Sequence, residues 1–342
     1  MQKIRIAIDA MGGDYAPQEI VKGAVEAARA DREIVPILVG PLDRIEEELG
    51  KYDVSGLDIP CVHSDDFIKE EVNPAIVVRQ RPNSSISVAN RLVKSGEADA
   101  LIGATPTGSL VACAIQHLGM LDGIERPVFG GVISGLSPNT IMLDLGVNID
   151  CRPEHLVNFA VIGTVYARTL LDIPDPKVAL LNIGKESIKG SKTIRTAYDL
   201  LQKSRLSFVG NIEGDEVLSG KVNVIVCDGF IGNTVLKYSE SVDGIISSQV
   251  DNLLLENPVI ESVVPRSKLK DSIGLSFLPG VIGGGILWGV NGIVAKTHGN
   301  SLGNLVAKRL YHVKFAVKRN IIGCLKTELS RVRDNIKLQE KD

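Results

Sequence analysis

The 342-residue chain is 44% hydrophobic, enough apolar material for a large core, so wholesale disorder is excluded, and its net charge of −3 excludes a general nucleic-acid binder. Five cysteines, an odd number with no CxxC pair, exclude a disulfide framework or a zinc site and fit a reducing cytoplasm. Aromatic residues are only 4%, so the core must be aliphatic, as buried parallel sheets usually are.

The first expected element is a strand, Ile4–Asp9. It is entered within four residues, with no basic and apolar leader, so no signal peptide is expected. The strand empties into Asp9-Ala10-Met11-Gly12-Gly13-Asp14, ahead of a helix over Pro17–Ala30. Paired glycines at such a junction let the backbone approach a ligand, and in open α/β sheets ligands sit beyond the carboxyl ends of the strands. Further strands are expected at Val35–Gly40, Ile59–His63, Ala98–Gly103, Val128–Ile133, Ile141–Leu145, Val178–Ile183, Ser207–Val209, Val222–Cys227 and Gly292–Lys296. Helical periodicity marks Leu42–Leu49, Pro74–Arg79, Ser85–Ser95, Ser109–His117, Arg152–Leu171, Lys192–Ser204, Asn233–Leu255 and Leu302–Ser330. This alternation predicts a three-layer α/β/α fold on a mostly parallel sheet. Val128–Ile133 and Ile141–Leu145 are close enough in sequence to form an antiparallel pair, which would make the sheet mixed.

The chain reads as one catalytic domain over 1–342. If it has two lobes, they should meet near 150–176, where Ile173-Pro174-Asp175-Pro176 ends a helix. Ser272–Ala295 carries no charge, but seven glycines and Pro279 suit a buried, tightly turning segment better than a membrane helix. A protruding helical segment is expected over 234–270. Its apolar face (Val242, Ile245, Ile246, Val250, Leu253, Leu254) suits another helix or subunit, or alternatively a membrane surface or acyl chain. A basic C-terminal helix over 301–342, with ten Lys or Arg against four Asp or Glu, could be a solvated face or could dock an acidic partner.

Several chemistries leave no trace. There is no GxGxxG after a strand and no GxSxG elbow, and Ser191 breaks the P-loop-like run Gly184…Gly190-Ser191-Lys192-Thr193. Histidines 63, 117, 155, 298 and 312 form no metal-ligand spacing, and neither metal nor cofactor is expected. Two loops carry the chemistry that is present. Asn182–Ser191 offers flexible backbone donors and the ammonium groups of Lys185 and Lys189 just before a helix, a combination that suits an anion. Asp228-Gly229-Phe230-Ile231-Gly232-Asn233-Thr234 places an amide and a hydroxyl at a helix start, where Asn233 and Thr234 could equally be plain caps.

Five segments occur in order: Asp9-Ala10-Met11-Gly12-Gly13-Asp14; Cys151-Arg152-Pro153-Glu154-His155-Leu156; Asn182-Ile183-Gly184 with Lys189-Gly190; Cys227 to Asn233; and Gly289-Val290-Asn291-Gly292 with His298-Gly299. Together they resemble the bacterial phosphate acyltransferases of phospholipid synthesis from residue 4 to about residue 310. The resemblance implies a fold like the isopropylmalate dehydrogenase and phosphotransacetylase group, usually as a cytoplasmic homodimer that can touch the membrane peripherally. It implies transfer of a fatty acyl group from acyl carrier protein to orthophosphate. A membrane-embedded glycerol-3-phosphate acyltransferase would then use the acyl phosphate. By resemblance, Lys189 meets the phosphate or oxyanion charge and Asn233 orients the reacting centre. Asp9, Gly12 and Gly13 shape the phosphate pocket, which Thr107, Gly108, Gly184, Asp228, Gly229 and His298 help to form.

Two segments depart from the family pattern. Ala104-Thr105-Pro106-Thr107-Gly108-Ser109 stands where Ala-Gly-Asn-Thr-Gly-Ala is usual, losing one N–H and one amide. Phe277–Gly289 also departs, which suggests a changed acyl pocket. The alternatives are a phosphotransacylase using acyl-coenzyme A and a non-catalytic scaffold that binds acyl carrier or membrane. A decarboxylating hydroxyacid dehydrogenase would need an acidic metal cluster and a nucleotide loop, which the sequence lacks.

Overall fold

The apolar run Ile4–Asp9 forms β1 in the computed structural model, which describes residues 3–69, 74–132, 137, 139–256 and 285–339. In chain order there follow α1 (Gln18–Ala30), β2 (Ile34–Gly40), α2 (Leu42–Leu49), β3 (Cys61–His63), α3 (Pro74–Gln80), α4 (Ser85–Ser95), β4 (Ala100–Gly103) and α5 (Thr107–Leu118). Next come β5 (Val128–Val132), β6 (Ile141–Leu143), α6 (Pro153–Leu170), β7 (Val178–Leu181), α7 (Lys192–Lys203), β8 (Phe208–Ile212), β9 (Val224–Val226) and α8 (Gly229–Glu256). The chain closes with β10 (Ile286–Trp288), β11 (Val294–Lys296), α9 (Gly303–Lys318) and α10 (Ile321–Gln339).

These elements divide between two units. One comprises Met1–Pro127 and Ile282–Thr327, the other Val128–Val281 and Glu328–Asp342. The 150–176 stretch is interior to the second unit, where α6 packs on β6, β9 and α7; the chain divides at Pro127/Val128 instead.

In the first unit the strand order is β3-β2-β1-β4-β11-β10, parallel except for β10, which runs against β11. In the second it is β5-β6-β9-β7-β8, parallel except for β5 against β6, the pair expected from the sequence. The strands thus make a mostly parallel, mixed sheet. Every residue of β2, β4, β7 and β9 is buried, so both faces of these strands are covered by helices. Each fully buried aliphatic side chain, such as Ile6, Ile8 or Leu38, stabilises the fold by about 1.5–3 kcal/mol relative to exposure. The apolar stripe of α1 (Ile20, Val21, Ala24, Ala27, Ala28) faces inward, and α1 packs on α9. A Cβ on Gly23 would lie 2.5 Å from the Gly303 carbonyl oxygen, so glycine sets how closely these helices meet.

Three expectations need correction. The uncharged stretch before residue 295 holds a strand, β10, whose three-residue Ile-Leu-Trp core was masked by flanking glycines; residues 272–284 lie outside the described set. The helix expected over Leu302–Ser330 breaks at Asn320, whose φ of 49° no continuous helix accommodates, giving α9 and α10. Helix α8 starts at Gly229, one turn earlier than Asn233; of the segment 234–270, residues 257–270 lie outside the described set. Three of the ten cations of the basic C-terminal tract pair with acids of their own unit. Lys314 pairs with Asp31 and Glu33, Lys318 with Glu33, and Arg331 with Glu328.

Candidate active site

In the first unit β1, β4 and β11 run parallel, so Asp9, Gly103 and Lys296 end on one edge and the loops after them gather there. Asp9 is 1% exposed, and its carboxylate accepts the Thr105 hydroxyl and, at 3.2 Å, the Met11 N–H. Burial pushes the Asp9 carboxyl above the usual range, against hydrogen bonds from Thr105, Met11 and Gly12 that pull it down. Gly12 is needed here because a Cβ would lie 2.7 Å from Asp9 Oδ2 and 2.9 Å from the Thr105 nitrogen. Gly13 has φ 94°, and a Cβ on it would meet the Gly299 carbonyl oxygen at 2.8 Å. The Asp14 N–H donates to that same carbonyl at 2.7 Å, and Lys296 Nζ donates to the Thr105 carbonyl at 3.1 Å. Three strand-end loops are thereby tied together, with half-buried His298 in the third.

Helix α5 begins in this cluster. Pro106 precedes its first residue, Thr107, and the first intrahelical bond runs from Leu110 N–H to the Pro106 carbonyl. The N–H groups of Thr107, Gly108 and Ser109 therefore have no acceptor within the helix. Gly108 is exposed, and a Cβ there would press on Pro74 of α3 at 2.7 Å. The Ser109 hydroxyl, 1% exposed, has no partner among the described residues. Asp9, Gly12, Gly13, Thr107, Gly108 and His298 thus share one strand edge, and Thr105 and Lys296 join them.

The second unit has its own carboxyl edge, where β6, β9 and β7 end side by side. Asp144, fully buried after β6, accepts the N–H groups of Gly146 (3.0 Å), Val147 (3.0 Å) and Asn148 (2.7 Å), and the Asn148 side-chain amide at 2.7 Å. Burial raises its carboxyl above the usual range. Helix α8 packs its first turns on this loop. The Gly229 N–H donates to the Asn148 carbonyl at 2.7 Å, and a Cβ on Gly232 would sit 1.7 Å from the Asp144 carbonyl oxygen.

Asp228 is the cap of α8, accepting the Ile231 N–H at 2.8 Å. Asn233 and Thr234 are therefore not caps. The Thr234 hydroxyl donates back to the Phe230 carbonyl, while exposed Asn233 stands over Gly146.

The loop after β7 is pinned from within. The Asn182 amide donates to the Lys189 carbonyl at 3.2 Å, and the Asn211 amide to the Glu186 carbonyl at 3.0 Å. Gly184 is buried, and a Cβ on it would crowd the Lys189 stem at 3.1 Å. Lys185 pairs with Glu216, but Lys189, exposed, keeps its ammonium clear of any carboxylate among the described residues. Lys189 with Gly184, and Asn233 with Asp228 and Gly229, thus stand at the neighbouring ends of β7 and β9.

The thiols of buried Cys113 and Cys227 and half-buried Cys151 are unsuited to nucleophilic attack. Burial pushes Cys113 up to about 11 and Cys151 to about 12, and raises Cys227 well above the ordinary value. No group of three or more His, Cys, Asp or Glu is placed to hold a metal among the described residues. The first unit's edge offers backbone N–H groups and a serine hydroxyl, and the second unit's edge, by itself, an ammonium and an amide. These are means of holding an anion and a polarised carbonyl.

The fold is that of the phosphotransacetylases. A Streptococcus pyogenes phosphotransacetylase superposes with a TM-score of 0.63 over 93% of this chain and 94% of its own, at 18% identity. The EutD phosphotransacetylase of Staphylococcus aureus does so with 0.61 over 92% and 94%, at 17%. The profile of the family described as "Fatty acid synthesis protein" matches residues 4–323. A phosphate acyltransferase of Pelotomaculum thermopropionicum is 40% identical over 96% of each chain, and one of Moorella thermoacetica is 43% identical over 87% of this chain and 88% of its own. The chain belongs to this family of phosphate acyltransferases.

Proposed function

We propose that the chain moves a fatty acyl group from acyl-acyl carrier protein to orthophosphate. A phosphate oxygen attacks the thioester carbonyl carbon, the C–O bond forms, and the C–S bond breaks. Acyl phosphate is released, and the carrier thiolate takes a proton from solvent. Orthophosphate is already anionic at neutral pH, so the reaction needs positioning and charge stabilisation more than a general base. Lys189 supplies the positive charge for the phosphate or the developing oxyanion, and Asn233 orients the reacting carbonyl. The first unit's strand edge, taken by itself, offers the N–H groups at the start of α5 and the Ser109 hydroxyl as donors for phosphate oxygens, beside Asp9, Gly12, Gly13 and His298.

The observation that carries this reading is the Lys189 ammonium, held on a pinned strand-end loop and unpaired among the described residues, in a chain whose relatives are phosphate acyltransferases. The test is orthophosphate-dependent consumption of long-chain acyl-carrier protein, with hydroxylamine trapping the acyl phosphate. Activity that requires phosphate and collapses in Lys189→Ala supports the assignment; full turnover in a folded Lys189→Ala removes it. Consumption of acyl-coenzyme A alone would replace the donor.

The same reading includes a homodimer and peripheral membrane contact, with the product passing to a membrane-embedded glycerol-3-phosphate acyltransferase. The exposed row Ile231, Tyr238, Ile245 and Leu253 on α8 supports pairing of two copies or contact with lipid. No described helix is long and apolar enough to cross a membrane.

A further inference from the structure

We propose that the exposed segment Ile183–Arg195 of the second unit is the docking surface for an acidic carrier protein that brings the acyl thioester. This inference rests on the donor reading above. Ile183 and Ile188 are 81% and 73% exposed, unusual for large aliphatic residues on a structured loop. Their outward posture is built in. The Arg195 guanidinium donates to the Ile188 carbonyl, Asn182 to the Lys189 carbonyl, and Asn211 to the Glu186 carbonyl. Both side chains are thus presented to solvent by a pinned backbone.

Charge gives the partner's sign. The segment carries Lys185, Lys189, Lys192 and Arg195 against Glu186 alone, within a chain whose net charge is −3. On the neighbouring strand end, Glu216 is already held by Lys185 and Lys221, leaving Lys189 and Lys192 without a carboxylate among the described residues. The C-terminal tract has more cations, but Lys314, Lys318 and Arg331 are engaged by acids of the same unit. Two exposed aliphatic anchors rimmed by free cations suit a partner with an apolar patch inside an acidic surface. Position agrees with the chemistry, because Lys189 lies on the segment itself, and a carrier seated there delivers its thioester to this strand edge.

Lys192→Glu, Ile188→Ser and the double variant test the surface. None of these residues belongs to the reacting set. Binding of labelled acyl-carrier protein is followed by fluorescence anisotropy, and KM is measured for the carrier thioester, for a small acyl-pantetheine thioester and for orthophosphate. The expected result is a roughly tenfold weaker carrier Kd and higher carrier KM in each single variant, with wild-type binding weakened by salt. The other two KM values and kcat should stay at wild-type level. A folded double variant with unchanged carrier affinity overturns the docking surface, as does equal loss with both thioesters. Failure of the donor reading is distinguishable, because wild type itself would then neither bind nor consume the carrier thioester.

Discussion

The close approach of α8 to the Asp144 loop gives a severe test, because one helix carries both the perturbation and its control. At Gly232 an alanine Cβ would lie 1.7 Å from the Asp144 carbonyl oxygen and 3.1 Å from Cys227 Sγ. Reaching van der Waals separation requires α8 to retreat by roughly 1.5 Å. The obstacle is backbone, so no side-chain rotation relieves it. Overpacking of this kind costs about 1–3 kcal/mol. The retreat also carries Asn233, one residue on, away from Gly146, and a misplacement of about 1 Å in a reacting group costs roughly a hundredfold in rate.

At Gly244, in the same helix, nothing among the described residues lies within 4 Å of an added Cβ. There alanine stabilises the helix by about 0.5–1 kcal/mol through lower backbone entropy in the unfolded chain. Urea unfolding reads the stability change, and hydroxylamine-trapped acyl phosphate reads the rate. Gly232→Ala is expected to lower the unfolding midpoint and to cut turnover about a hundredfold, and Gly244→Ala to raise or keep the midpoint at wild-type turnover. Gly232→Ala with wild-type midpoint and turnover would refute the packing and its link to Asn233.

Other consequences are equally direct. Thr105→Val removes the hydroxyl that serves buried Asp9, costing about 1–3 kcal/mol, and Thr105→Ser should restore most of it; thermal unfolding of the pair checks this. Asp228→Ala deletes the α8 cap and should cost about 1 kcal/mol, read as a lower urea-unfolding midpoint. Lys314 and Lys318 hold the Glu33 carboxyl down at about 2, so its folded value lies below the unfolded value near 4.5. That contribution is complete above pH 4.5 and is lost as pH falls towards 2. The stability gap between wild type and Glu33→Gln should therefore be constant at neutral pH and close across that window, and a gap that persists at pH 2 would exclude the pairing.

Much of the strand-end chemistry was legible in the sequence because it is local. Gly12-Gly13 after β1 and Asn182–Ser191 after β7 announce themselves as glycine-bearing breaks between an apolar run and a helix. What escaped depends on partners distant in sequence. Thr105 reads as an unremarkable loop residue until it meets Asp9, 96 positions away. Asp144 reads as the end of a strand until four donors converge on it. Gly229-Phe230-Ile231-Gly232 reads as a loop because glycine disfavours helices, yet both glycines lie in the first turn of α8 because only they fit against residues 144–148. The exposed isoleucines at 183 and 188 were visible as letters, but their exposure was not, since only the pinned backbone holds them outward.

The division of the chain bears on how it is made. A ribosome emits Met1–Pro127, then the Val128–Val281 part of the second unit, before β11 emerges to pair with β4. Until Val294–Lys296 arrive, the flank of Ala100–Gly103 that they will cover is an open, wholly apolar strand edge, the kind that seeds aggregation. Synthesis of this protein therefore includes an interval, about 190 codons from Gly103 to Val294, in which nascent-chain binding factors have a defined patch to shield. Truncations ending before residue 294 should be far less soluble than those that include it.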